Sequence, residues 1–219
     1  MPEVIFNGPA GRLEGRYQPA KKKGAPIAII LHPHPQFGGT MNNQIVYSLF
    51  YTYVNRGFAV LRFNFRGVGR SQGSFDHGHG ELSDAAAALD WVQSLNPDAR
   101  SCWIAGVSFG AWIGMQLLMR RPEIEGFLSI AAMANRYDFS FLAPCPSSGL
   151  FVHGSEDRVA PAKDVISVIE KVKTQKGIVL EHAVIDGANH FFDGKVEELM
   201  QTVDAYLDKR IGTPHEDAA

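Results

Sequence analysis

Cysteine is scarce in this chain: two residues, Cys102 and Cys145, in 219. That excludes a disulfide-stapled scaffold and fits two reduced thiols in an intracellular protein. Charge of one sign is missing too, since 21 Lys and Arg stand against 23 Asp and Glu. Bulk electrostatics therefore give no reason to expect a nucleic-acid partner. No apolar run reaches the roughly 18 residues of a spanning helix, so no membrane partner is expected. Met1-Pro2-Glu3 lacks the basic-then-apolar layout of a signal peptide. These absences together predict a cytoplasmic protein. What is present is ordinary for a globular chain. At 45% hydrophobic and 20% charged residues, the sequence can bury a core and is not a disordered polymer.

Strand-like and helix-like stretches alternate. Glu3–Asn7 and Leu13–Tyr17, parted by Gly8-Pro9-Ala10-Gly11, read as an antiparallel hairpin. Lys21-Lys22-Lys23-Gly24 reads as a solvated loop. A continuous apolar run follows at 26–31, with further strand-like stretches at 58–65, 102–107, 126–133, 149–153 and 178–185. Such a run suits a strand covered on both faces. Between them lie helical patterns at 43–56, 109–119 and 162–173, a stripe of Ala85, Leu89, Val92 and Leu95, and a last stripe from Val196 to Leu207. Strands separated by helices imply βαβ crossovers and a mostly parallel sheet, with the hairpin as its antiparallel edge. One domain over 1–211 is expected, with 212–219 as a disordered tail.

The sharpest local signal is Gly106-Val107-Ser108-Phe109-Gly110, between an apolar strand and an apolar helix. This is the context of a nucleophile elbow. The serine occupies a strained turn, so the residues two before and two after must be small for the chains to pass. The helix N-terminus adds a positive dipole beside the hydroxyl.

A nucleophilic serine needs a base, and the base an orienting acid. Asp157 follows the strand 149–153 and His190 follows the strand 178–185, so Ser108, Asp157 and His190 appear in the order this architecture requires. All three can meet at the carboxyl edge of the sheet, where open α/β sheets bind ligands. Glu156 and Asp186 stay open as alternative acids. His153 reads as a packing or turn residue, and His77, His79, His182 and His215 as surface or loop residues.

An oxyanion hole requires two N–H donors aimed at the developing charge. One is expected from Phe109, just after the nucleophile. The other is expected from the loop His32-Pro33-His34-Pro35-Gln36-Phe37-Gly38-Gly39. Pro33 and Pro35 have no N–H, which leaves Gln36 as first choice and His34 as second. His32-x-His34 has no companion ligand cluster to make a metal site, and no metal or other cofactor is expected. Arg66-Gly67-Val68-Gly69-Arg70-Ser71-Gln72-Gly73 does not match a dinucleotide fingerprint and reads as a glycine-rich loop bordering the site.

These motifs resemble the α/β-hydrolase superfamily, and the resemblance spans nearly the whole chain. GVSFG, HGSEDRVAP and DGANHFF fall in family order, and RFNFRGVGRSQG looks like the family's R-G-x-G-x-S loop. LHPHPQFGGTMNN together with RFNFRGVGRSQGSFDHGHGE is similar to a small single-domain bacterial branch near dienelactone-hydrolase-like and Xaa-Pro-dipeptidyl-peptidase-like proteins. The resemblance implies an α/β-hydrolase fold: eight strands, mostly parallel, an antiparallel N-terminal edge and helices on both faces. It also implies Ser108 as nucleophile, His190 as base and Asp157 as its orienter. Where the family has H-G after its third strand, this chain has His32-Pro33, so the second oxyanion donor needs a local solution.

Only 134–148 separates two strands where relatives carry a lid, which is too short for a lid domain. An open cleft edged by Phe37, Tyr137, Phe139 and Phe141 is expected, suited to small or surface-presented acyl groups. The expected activity is a serine hydrolase acting on a small-molecule ester or related acyl bond. Acyl transfer, peptide cleavage and a non-catalytic binding module remain alternatives, and a homo-oligomer stays open, with Tyr47 and Tyr51 as candidate interface residues.

Overall fold

The computed structural model describes residues 2–172 and 177–212. The chain begins with a hairpin of β1 (Glu3–Gly8) and β2 (Gly11–Gln18), followed by β3 (Ile27–Leu31), α1 (Gln44–Asn55) and β4 (Ala59–Phe63). Next come α2 (His79–Leu95), β5 (Cys102–Val107), α3 (Phe109–Leu118) and β6 (Ile124–Ile130). The fold closes with β7 (Ser148–Gly154), α4 (Ala162–Val172), β8 (Leu180–Ile185) and α5 (Val196–Ile211). Lys173 of the expected 162–173 helix, and 213–219 of the expected tail, lie outside the described residues. Gly212 is described, and its N–H caps α5 on the Asp208 carbonyl.

The eight strands form one sheet in the order β1-β2-β4-β3-β5-β6-β7-β8. β1, β2 and β4 pair antiparallel in sequence, and every pair from β4 to β8 is parallel. The apolar runs are explained by two cores. In β3, Ile27, Ile29 and Leu31 face the layer of α2, α3 and α4, while Ala28 and Ile30 face the layer of α1 and α5. Side-chain alternation along a strand therefore feeds both faces, and no position in β3, β4 or β5 is left for water.

Two glycines let bulky neighbours lie across the sheet. A Cβ on Gly126 would stand 2.5 Å from the Trp103 ring, and one on Gly149 would stand 2.3 Å from Phe127. Strand β6 starts at Ile124, before the expected 126, because a register irregularity at Cys102/Trp103 lets the strand pair two residues earlier. Asn43 caps α1 by accepting the N–H groups of Ile45 at 3.0 Å and Val46 at 3.3 Å.

Candidate active site

The loops at the carboxyl ends of β3, β4, β5, β7 and β8 converge. Ser108 ends β5 and begins α3 with φ 56° and ψ −112°, a conformation that non-glycine residues rarely adopt. Its N–H is held by the Ile130 carbonyl at 2.8 Å. The flanking glycines are sterically required. A Cβ on Gly106 would meet the Gly110 carbonyl oxygen at 2.3 Å, and one on Gly110 would meet that of Leu31 at 2.4 Å.

The ends of β7 and β8 pack backbone against backbone. A Cβ on Gly154 would lie 2.1 Å from the Ala188 carbonyl oxygen, and the Glu156 N–H donates to that oxygen at 3.0 Å. Ser155 Oγ accepts the Gly187 N–H at 2.8 Å and donates to Asp186 at 3.2 Å, which commits the Asp186 carboxylate elsewhere than His190. This close approach brings Asp157 against His190. Asp157 Oδ2 accepts from His190 Nδ1 at 2.8 Å, while its Oδ1 accepts the N–H groups of Val159 at 2.9 Å and Ala160 at 2.7 Å. His190 Nε2 lies 3.0 Å from Ser108 Oγ. Ser108, Asp157 and His190 thus form one continuous, buried hydrogen-bonded chain. Glu156 is exposed and takes no part in it.

The loop after β3 is held by its two histidines. His32 is fully buried, donates through Nδ1 to the Pro33 carbonyl at 2.6 Å and accepts the Phe65 N–H on Nε2 at 3.0 Å. Burial pushes this imidazole down to about 4, and both of its nitrogens are in use. His34 Nδ1 accepts the Gln36 N–H at 3.2 Å and caps the single 3-10 turn at Pro35–Phe37. The Gln36 N–H, first choice as an oxyanion donor, is therefore already occupied. The His34 N–H and the Phe109 N–H have no acceptor among the described residues.

The glycine-rich loop is bound into the protein by buried carboxylates. Arg66 makes a bidentate pair with Asp84 at 2.9 and 2.7 Å, and Glu81 accepts the N–H groups of Asp76 and Gly78 at 2.9 and 2.7 Å. Phe75 is thereby presented to the rings of His34 and Phe109.

Of the expected cleft aromatics, Phe37 is 79% exposed and Tyr137 half-buried, stacked at 4.3 Å on Trp112. Phe141 is half-buried against Phe139. Phe139 does not edge the cleft: it is buried in the core layer of α2, α3 and α4, where the 3-10 turn at Ser140–Leu142 folds it inward. The 134–148 segment has no longer helix, and Asn135 ties it to the acid turn through the Val159 carbonyl at 2.8 Å. One neighbour of the site went unread in the sequence, Phe191, while His153 is the packing residue expected of it. Phe191, 63% exposed, stands edge-on to His190, and His153 lies buried beneath the site, held at about 4 by burial, with Nε2 donating to the Ala132 carbonyl. The duplicated aromatic in DGANHFF was the available signal for Phe191.

Among the described residues no cluster of His, Cys, Asp and Glu is arranged to hold a metal, and no helix is long and apolar enough to cross a membrane.

The model of the X-Pro dipeptidyl-peptidase (S15) family matches residues 15–144, which include the elbow and stop short of Asp157 and His190. Three solved structures are similar along nearly their full length. A protein of unknown function from Agrobacterium tumefaciens is 75% identical, with TM-score 0.94, covering 96% of each chain. An alpha-beta serine hydrolase homologue from Coxiella burnetii is 35% identical, with TM-score 0.86, over 94% of this chain and 97% of that one. XC6422 from Xanthomonas campestris, a serine hydrolase without a lid, is 31% identical, with TM-score 0.84, over 95% and 94%. With more than half its length matched by the family model and this fold throughout, the chain belongs to the X-Pro dipeptidyl-peptidase (S15) family of α/β serine hydrolases.

Proposed function

We propose that this protein hydrolyses carboxylic esters through a covalent acyl-enzyme on Ser108, with His190 as base and Asp157 as its orienter. The observation that carries this reading is the unbroken chain Ser108 Oγ, His190 Nε2, His190 Nδ1, Asp157 Oδ2, at 3.0 and 2.8 Å. Asp157 accepts a hydrogen bond from the Nδ1–H of His190, so Nε2 is the basic nitrogen and faces the hydroxyl. As Oγ attacks the acyl carbon, its proton passes to Nε2. The carbonyl oxygen becomes an oxyanion beside the N-terminus of α3, with the Phe109 and His34 N–H groups as donors. Collapse expels the alcohol, which takes the proton from Nε2. Water then gives its proton to Nε2, attacks the acyl carbon and releases the acid, and Ser108 recovers its hydrogen.

The exposure of Phe37 and Phe191 supports an open cleft that takes small or surface-presented acyl groups. Two buried free thiols fit a cytoplasmic setting. The family match favours a second reading, cleavage of a peptide bond by the same three residues. A screen of esters, thioesters, lactones and dipeptidyl amides with purified protein, using Ser108→Ala as blank, separates the two. Turnover of esters well above amides supports esterase action, and the reverse order assigns the peptidase.

A further inference from the structure

Among the described residues Arg136, like Arg158 on the acid turn, is a cation with no ion-pair partner. Arg136 is exposed on the segment after β6. Four acids at this end of the fold have partners of their own. Asp138, two residues on, accepts the N–H and Oγ of Ser140 at 2.7 and 2.8 Å. Glu81 is engaged by two backbone N–H groups, Asp76 lies 3.9 Å from Arg66, and Asp157 is held by His190 and its own turn.

Arg136 precedes a residue packed beside the nucleophile's neighbour. The next residue, Tyr137, packs edge-on against Phe109, the neighbour of Ser108, and Phe109 packs against His34 at 4.9 Å. After burial, Arg136 is the group that most depresses the proton affinity of the His34 ring, ahead of His77. His34 accepts on Nδ1, so its proton sits on Nε2, a donor with no acceptor among the described residues.

We propose that the ester taken at Ser108 carries an anionic group, a carboxylate or a phosphate, which Arg136 receives at the rim with the His34 Nε2–H as second donor. A guanidinium suits either oxyanion because its planar fork donates two parallel hydrogen bonds. His77 sits beside Phe75 on a turn of positive φ. Phe37 and Phe191 leave apolar surface for the rest of the substrate. This inference rests on the hydrolase reading and narrows it from esters in general to anionic ones.

The test follows release of nitrophenol from matched pairs: 4-nitrophenyl hydrogen succinate against its methyl ester, and 4-nitrophenyl 3-phosphonopropanoate against its dimethyl ester. A third pair places the carboxylate in the leaving group, as the butyrates of 3-hydroxy-4-nitrobenzoate and its methyl ester. In at least one pair the wild type should favour the anionic member by about threefold to tenfold in kcat/KM, the range of a partly exposed charge-assisted contact. The ratio should fall toward one in Arg136→Gln and in raised salt. It should persist in Arg120→Gln, which removes the same charge beyond the far end of α3. Whichever pair responds names the oxyanion and its side of the bond. Equal rates for charged and neutral members in all three pairs overturn the inference alone, as does a preference that survives Arg136→Gln. No hydrolysis of any ester, or equal hydrolysis by Ser108→Ala, overturns the underlying hydrolase reading.

Discussion

The Phe65 N–H donates to Nε2 of His32 at 3.0 Å, so one buried ring ties the end of the fourth strand to the loop that begins the third strand's turn. In a loop with proline at position 33, this imidazole fixes the backbone next to the nucleophile. His32→Phe keeps the ring volume and leaves the Phe65 N–H buried without a partner. The expected cost is about 1–3 kcal/mol. Urea unfolding should show a lower midpoint at unchanged slope, and an unchanged midpoint would remove the pin from the account.

The same chemistry makes the fold sensitive to acid. His32 and His153 are each held at about 4 by burial, below the ordinary 6.5 they regain on unfolding. Between those values the unfolded chain binds more protons, so their contribution is complete above pH 6.5 and drains away as pH falls toward 4. Each should cost about 2 kcal/mol of stability between pH 7 and pH 5, at 1.36 kcal/mol per unit of proton-affinity difference. Chemical denaturation at both pH values measures the loss. Flat stability across this interval would contradict it.

Gly154→Ala tests how the acid and histidine turns are kept in register. The added methyl would start 2.1 Å from the Ala188 oxygen, and neither backbone can yield without separating Asp157 from His190. Displacement on the order of 1 Å in a catalytic group lowers turnover about a hundredfold. Esterase assay of folded variant, checked by circular dichroism, should find that fall, and activity within twofold of wild type would contradict it.

Asp157→Asn should be worse for chemistry than for folding. The asparagine Oδ1 can keep the Val159 and Ala160 N–H groups, which turns its amide toward His190 Nδ1. That nitrogen must then accept, the proton moves to Nε2, and Ser108 faces a donor where it needs a base. Turnover should fall by about four orders of magnitude, the scale of this change in triads elsewhere. A rate near wild type would transfer the role to another carboxylate.

Much of this was legible in the sequence because backbone strain dictates residue type. Gly106 and Gly110 announce the elbow since no side chain fits there, and the fully buried strands announce themselves as apolar runs. What was not legible depends on contacts between distant segments. Nothing local to Gln36 reveals that the His34 ring takes its N–H. Phe139 looks like Phe37 in sequence, yet one is 2% exposed and the other 79%, because a single 3-10 turn swings the first into the core. Arg136 carried no motif, since its significance lies in which carboxylates are busy elsewhere.

The most direct test of the central claim is intact-mass and peptide analysis after treatment with a fluorophosphonate. The account predicts one covalent adduct per chain on the peptide carrying Ser108, and none in folded Ser108→Ala. Labelling of Ser108→Ala at the wild-type rate would contradict it.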